Sequence, residues 1–502
     1  MTEEERRNYF PGSWKLHSDD IRVVRKIRLD ASRLRRRVTQ KPIGQTSRPA
    51  GKADKGRRRQ MSNRQARRSH AKKLARNYIR KARGPRQLTR EEASLEFKYR
   101  QSNLLEHMVS NREAKYSESP LNRKKKGHVA VELRDLSFTH NPRQTMNKLG
   151  DLADRECDSF GINIDFHDDF CLDVGPYLLL SVMKKQMTPL FLGGEISKPM
   201  SKVLHALELD QEMGIEVPLA EDRHEDVFPF PVHRRRMSGT SESETRFIDQ
   251  QSHEKVAANL NEAIDHWLRV TTDQRLNLRG RRIVLRLVTE TLDNAERHGD
   301  MQRNENDGDW IVAGFMARRE NDDHEYYRCH LAFLSTGTTI EETILTAPEP
   351  IATKMEEYVH RHRGSVGSRQ QSPKHLRTVF AMQDGVTRSA TASEEKRNGT
   401  GFQDILEFYS DLAGSDAAMS DASMAVVSGT TCVLCNSAYM HGVRMSGEDS
   451  ERELWFNETN EQSSPPDAGN VVELDRCLKG TLITMAFTLD LDYLERTVDR
   501  AN

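Results

Sequence analysis

Glu290-Thr291-Leu292-Asp293-Asn294-Ala295-Glu296-Arg297-His298-Gly299 is the stretch on which the reading of this chain turns. Residues four apart on an α-helix are offset by about 40°. Glu290, Asn294 and His298 therefore share one face of a helix expected over about 281–298. Val284, Leu287, Val288 and Ala295 supply its buried side. A carboxylate and a carboxamide one turn apart suit two roles. Glu290 can polarise a water molecule, and Asn294 can offer its carbonyl oxygen to Mg2+, a hard cation that prefers oxygen.

Upstream, His253–Thr271 carries a helical stripe of Val256, Leu260, Ala263, Ile264, Trp267 and Leu268. Downstream, Trp310–Ala317 and Tyr326–Leu334 read as strands, the second running into Ser335-Thr336-Gly337-Thr338-Thr339-Ile340. Further on come Asp384-Gly385-Val386-Thr387-Arg388, a polar stretch, and Arg397-Asn398-Gly399-Thr400-Gly401-Phe402, leading into a helix over Gln403–Leu412. Arg388, Lys396 and Arg397 make this stretch locally positive. Ser423–Ser428, Thr431–Asn436 and Tyr439–Met445 suggest further strands, and Gly480-Thr481 is expected to open another over Leu482–Leu489. Cys432 and Cys435 have the spacing of half a metal site, but residues three apart on a strand face opposite ways. They are expected to be buried structural thiols.

E-x-x-x-N-A-x-x-H-G resembles the N-box of GHKL (Bergerat-fold) ATPases, above all the anti-sigma-factor serine-kinase branch. The resemblance implies ATP and Mg2+ as cofactors, with Asn294 as the metal ligand, Glu290 as the activating base and His298 beside the phosphates. Ser335–Ile340 sits where the family places D-x-G-x-G-I: Gly337 and Ile340 match, while Ser335 and Thr339 replace the Asp and the second Gly. A neutral Ser335 hydroxyl accepts a hydrogen bond from an adenine amino group more weakly than a carboxylate does. Arg388, Arg397, Gly399 and Gly401 resemble the ATP lid and glycine box, and Thr481 the family's final G-T beside the base. Family members commonly dimerise, so a homodimer is an expectation of the same resemblance.

Between about Val129 and Val217, strands and helices alternate. HVAVEL (His128–Leu133), Ile162–Phe166 and Pro189–Leu192 read as strands, and Asn141–Cys157, Tyr177–Lys185 and Ser197–Leu209 as helices. The order, with an Asp173-Val174-Gly175 turn opening a helix, resembles STAS domains of signalling proteins and implies a protein partner. Val174 stands where phospho-switched members carry Ser, so the implied role is interaction or packing. Pro218–Glu254 reads as a linker.

The chain has 77 Lys and Arg against 76 Asp and Glu, but they are unevenly placed. Met1–Gly127 holds about 37 basic and about 13 acidic residues. Arg57, Arg58, Arg59, Arg67, Arg68, Lys72 and Lys73 lie in its densest part. Cations on most of a helix circumference repel one another, and a phosphate backbone relieves that repulsion with counterion release. RNA or DNA is the expected partner, the alternatives being a solvated tail or an arm on the chain's own acidic remainder. No apolar run long enough for a membrane span is present. The start lacks a secretory signal, and six irregularly spaced cysteines suit reduced thiols and a cytoplasmic location.

The expected fold class is α+β: a basic, largely helical or disordered arm over 1–127, a STAS-like α/β domain over 128–217, a linker over 218–252, and a GHKL (Bergerat) α/β sandwich over 253–502. Three functions follow as expectations. The first is a regulator coupling ATP and Mg2+ binding to a nucleic-acid or protein partner. The second is a protein serine kinase of anti-sigma type, and the third an inactive GHKL scaffold in a nucleic-acid-binding, defence-related complex.

Overall fold

Proline and serine place the helix starts in this computed structural model. It describes residues 99, 101–117, 128–159, 161–187, 191–215, 217, 227–235, 252–299, 310–321, 324–363, 371–386, 401–413, 422–435, 439, 442–444, 452–489 and 493–496. The elements are α1 (Asn103–Met108), α2 (Arg112–Ser117), β1 (His128–Leu133), α3 (Pro142–Asp158), β2 (Gly161–Phe166), α4 (Gly175–Gln186), β3 (Phe191–Gly193), α5 (Lys198–Ala206), α6 (Leu209–Met213) and β4 (Val227–Arg235). They continue as α7 (His253–Thr272), β5 (Gln274–Leu276), α8 (Leu278–Gly299), β6 (Trp310–Asn321), β7 (His324–Thr336), α9 (Ile340–Ile344), α10 (Glu349–His362) and α11 (Pro373–Ala381). The last are α12 (Gly401–Ala413), β8 (Ser423–Cys435), β9 (Val443–Arg444), β10 (Arg452–Glu453), β11 (Val471–Thr488) and β12 (Leu494–Arg496). Helices α3, α4, α5, α10 and α11 each carry Pro in their first two positions, where its missing N–H leaves no bond unmade. Ser102, Ser197, Ser252 and Ser372 cap α1, α5, α7 and α11.

A five-stranded sheet of order β4-β6-β7-β11-β8, with antiparallel neighbours, forms the centre. Side chains alternate across it. Trp310, Val312 and Met316, Leu331 and Phe333, Ile483 and Met485, and Met424 and Val426 face one way. They pack with Leu260 and Trp267 of α7, Leu287 and Leu292 of α8, and Ile405 and Tyr409 of α12. Each such side chain, fully buried, contributes about 1.5–3 kcal/mol. The opposite face receives α1, α3 and α4. Phe170 meets Phe315 edge-on at 5.8 Å, and Thr484 Oγ1 donates to Asp173 Oδ1 at 2.5 Å. Strands β1, β2 and β3 form a separate parallel sheet joined through α3 and α4. The mixed α+β class is thus present.

Several boundaries differ from expectation, each for a local reason. Tyr99–Ser117, expected as part of the basic arm, belongs to the same compact unit as Lys126–Asn502. Leu104, Leu105, Met108 and Val109 are buried, and Arg112 is fully buried between Glu156 and Glu106. The supposed linker contains β4, an edge strand. Pro229 and Pro231 look disruptive in sequence, but an edge strand tolerates missing donors. The expected Ser197–Leu209 helix divides into α5 and α6 at Glu208, which has φ 60°. Gly480 lies inside β11, which begins at Val471, and does not open it. The two strands expected at Ser423–Ser428 and Thr431–Asn436 are one strand, β8, irregular at Gly429 (φ 60°). Of Tyr439–Met445, only Val443–Arg444 is strand among the described residues.

Candidate functional site

The apolar columns of the helix-facing side end in a row of polar residues. Trp310 pairs with Ser335, Ser335 with Thr481, and Thr481 with Ser428, crossing four strands. Residues in register share a face, so the three hydroxyl residues look the same way as Trp310, toward the helices. Ser428 Oγ donates to Gly480 O at 2.8 Å and accepts from Ile340 N at 2.9 Å. It also lies 3.1 Å from Thr481 Oγ1, and Ser335 Oγ makes a long 3.4 Å bond to Thr481 O. With their protons committed in this way, Ser335 and Thr481 retain lone pairs able to accept from an amino group.

Two close approaches shape the end of the sheet. Gly480 has φ 136°, and a Cβ there would lie 2.1 Å from Ser335 O, so glycine is required for these strands to meet. Gly337 is buried and donates to Lys479 O at 3.3 Å. Thr339 caps α9 in a capping box with Glu342. Glu342 in turn pairs with Lys479. Burial pushes the Glu342 carboxyl up, but bonds from Lys479 and the Thr339 amide outweigh it and hold the group below the usual glutamate range.

Helix α8 presents Glu290 and Asn294 half-buried. Trp310 Nε1 donates to Glu296 Oε1 at 3.0 Å, fastening the end of this helix to the start of β6 beside the polar row. Asn294 meets the first residue of α12: a Cβ on Gly401 would stand 2.9 Å from its Nδ2 and 3.1 Å from its Oδ1. The structure therefore brings together Asn294 with Gly401, and Ser335 with Thr481 and Gly337. His298 lies within α8, its side chain outside the described residues, and Arg388, Arg397 and Gly399 are outside them altogether. So are Arg57, Arg58, Arg59, Arg67, Arg68, Lys72 and Lys73. Among the described residues no group of three or more His, Cys, Asp and Glu could hold a metal ion. The Asn294 carboxamide oxygen is of the kind that could serve as one ligand to a hard cation.

Two features of this region carry no signal in the sequence: Ser428 and the ionic cluster beside α12. Arg452 binds Asp384 through Nε at 2.8 Å and Nη2 at 3.1 Å, and Asp404 through Nη2 at 2.6 Å. Ser428 is hidden by the apparent break in β8. Arg452 lies in a charged stretch, SGEDSERELW, with no periodicity to single it out.

Cys432 and Cys435 are buried free thiols, pushed up by burial, as structural cysteines are. At the middle module, the Asp173-Val174-Gly175 turn is buried against the sheet. Asp173 accepts from Phe138 N (2.6 Å), Gly175 N (2.8 Å) and Thr484 Oγ1, although burial pushes its carboxyl up. Among the described residues no helix is long and apolar enough to cross a membrane. Comparison with protein-family models, curated proteins and solved structures returned no match to this chain.

Proposed function

We propose that α8, the start of α12 and the Ser335–Thr481–Ser428 row together bind ATP with Mg2+, and that binding regulates what the rest of the chain engages. The observation that carries this reading is the close approach of Gly401 to Asn294, where a helix start leaves no room for a Cβ beside a metal-competent carboxamide. Helix-start amides favour phosphate oxygens. The hydroxyl row supplies neutral acceptors for an exocyclic amino group, and Glu290, one turn before Asn294, is the candidate base for slow hydrolysis.

The packing of the middle module supports regulation. Strand β11 carries Thr481 in the polar row and, three residues on, Thr484 on the opposite face bonded to Asp173. A shift of β11 on nucleotide binding reaches the STAS-like module through a buried hydrogen bond. The basic arm is the proposed nucleic-acid-binding element of the regulator, and the exposed faces of the module are where a protein partner would dock.

The test is calorimetric titration of Mg·ATP into the full chain, wild type beside Asn294→Ala and Glu290→Ala. The reading expects binding that Asn294→Ala weakens and Glu290→Ala leaves intact while abolishing hydrolysis. A folded wild-type chain that binds no ATP would refute it and favour the scaffold reading. Transfer of labelled phosphate to a separate protein would favour the serine-kinase reading.

A further inference from the structure

Arg452 is nearly completely buried, with its side chain 6% exposed, and it is surrounded by three carboxylates. Its guanidinium fork takes Asp384 in two bonds, and its backbone N–H donates to the same carboxylate at 2.9 Å. The remaining donors reach Asp404 and Glu407, both on α12. Gln403, beside Asp404, adds a bond from Nε2 to Met382 O at 2.7 Å. Arg452 thus ties Asp384, and Gln403 ties Met382, to the first turn of α12, the turn that begins with Gly401. Only a planar fork can satisfy one carboxylate bidentately while reaching a second. Without the fork, Asp384 loses its bidentate partner and Asp404 loses the Nη2 donor that links the two carboxylates. That loss falls on the turn where a Cβ at Gly401 would stand 2.9 Å from Asn294 Nδ2.

We propose that Arg452 is the positioning residue of the nucleotide site, setting the first turn of α12 so that the Gly401 backbone meets Asn294. The proposal rests on the nucleotide reading above and adds a residue that touches neither Asn294 nor the hydroxyl row. The variants are Arg452→Lys, which keeps the charge and loses the fork, and Asp404→Asn, which releases α12 while leaving the Asp384 pair intact. Each is compared with the wild-type full chain by Mg·ATP calorimetry, thermal melting and amide hydrogen exchange. The expected result is affinity lowered at least about tenfold in Arg452→Lys and less in Asp404→Asn. Exchange should rise at Ile405–Phe408, the first amides of α12 bonded within the helix, while α8 and β11 keep their protection. Wild-type affinity in both variants overturns the proposal, as does protection lost across α8 and β11 together, which is general destabilisation. A wild-type chain that does not bind ATP refutes the nucleotide reading itself, before any variant is compared.

Discussion

Gly401→Ala separates the proposed site from the stability of the fold. The added Cβ would stand 2.9 Å from Asn294 Nδ2, a distance that real Cβ atoms essentially never show, so something must move. The atoms it meets are the far end of a flexible side chain, and a small rotation of the carboxamide relieves the clash. Alanine also favours a helix over glycine by about 0.5–1 kcal/mol. The two effects nearly offset, so the melting temperature should stay close to wild type. Nucleotide binding should not be spared. A displaced carboxamide forfeits a charge-assisted interaction of about 1.5–3 kcal/mol, and every 1.4 kcal/mol is a factor of about ten in affinity. The expected outcome is Mg·ATP affinity weakened at least about tenfold, read by calorimetry beside a thermal melt. Unchanged affinity in a folded Gly401→Ala chain would show that the Asn294 carboxamide does not contact bound nucleotide. A large fall in melting temperature would show that the close approach serves packing.

Three other outcomes follow from the same geometry. Gly480→Ala meets backbone, with Ser335 O 2.1 Å from the new Cβ at φ 136°, and strained residues of this kind cost about 1–3 kcal/mol or more. Urea unfolding should show that loss, in contrast with Gly401→Ala. The Glu342 carboxyl is held below its unfolded value, so its pairing with Lys479 contributes stability above that value and loses it as pH falls through the folded one. Glu342 is 40% exposed, so the contribution is below about 1 kcal/mol. Glu342→Gln should flatten that part of the acid limb in a melting-versus-pH series. Replacing Arg57, Arg58, Arg59, Arg67, Arg68, Lys72 and Lys73 by alanine should reduce the salt dependence of nucleic-acid binding, by about 0.9 in log–log slope for each duplex phosphate no longer neutralised. An unchanged slope would remove those residues from the interface.

The parts of the fold legible in the sequence are those with strong periodicity. The stripes of α7 and α8 and the alternation of β6 and β7 fall where the residues suggest, because burying one face of each is what stabilises it. Local signals mislead where tertiary packing decides. Pro229 and Pro231 mark a linker in sequence, yet β4 uses an edge position where missing donors cost little. NLLEHM is a short apolar island in a basic segment, and only its packing near β11 makes it part of the body. In the site, Asn294 and Gly401 are far apart in sequence, and in the sequence only family resemblance links them. Their meeting follows from α12 lying along α8. Arg452 and Ser428 are not legible at all, because their roles depend on which strands and loops become neighbours.

Nucleotide is proposed to occupy the end of the sheet between α8 and α12. Photoaffinity labelling of the full chain with 8-azido-ATP and Mg2+, followed by peptide mapping, tests it most directly. Labelling competed by unmodified ATP is expected on peptides containing Ser335–Ile340 or Gly480–Thr481, the residues proposed to line the base. No competed labelling, or labelling confined to the basic arm, would contradict it.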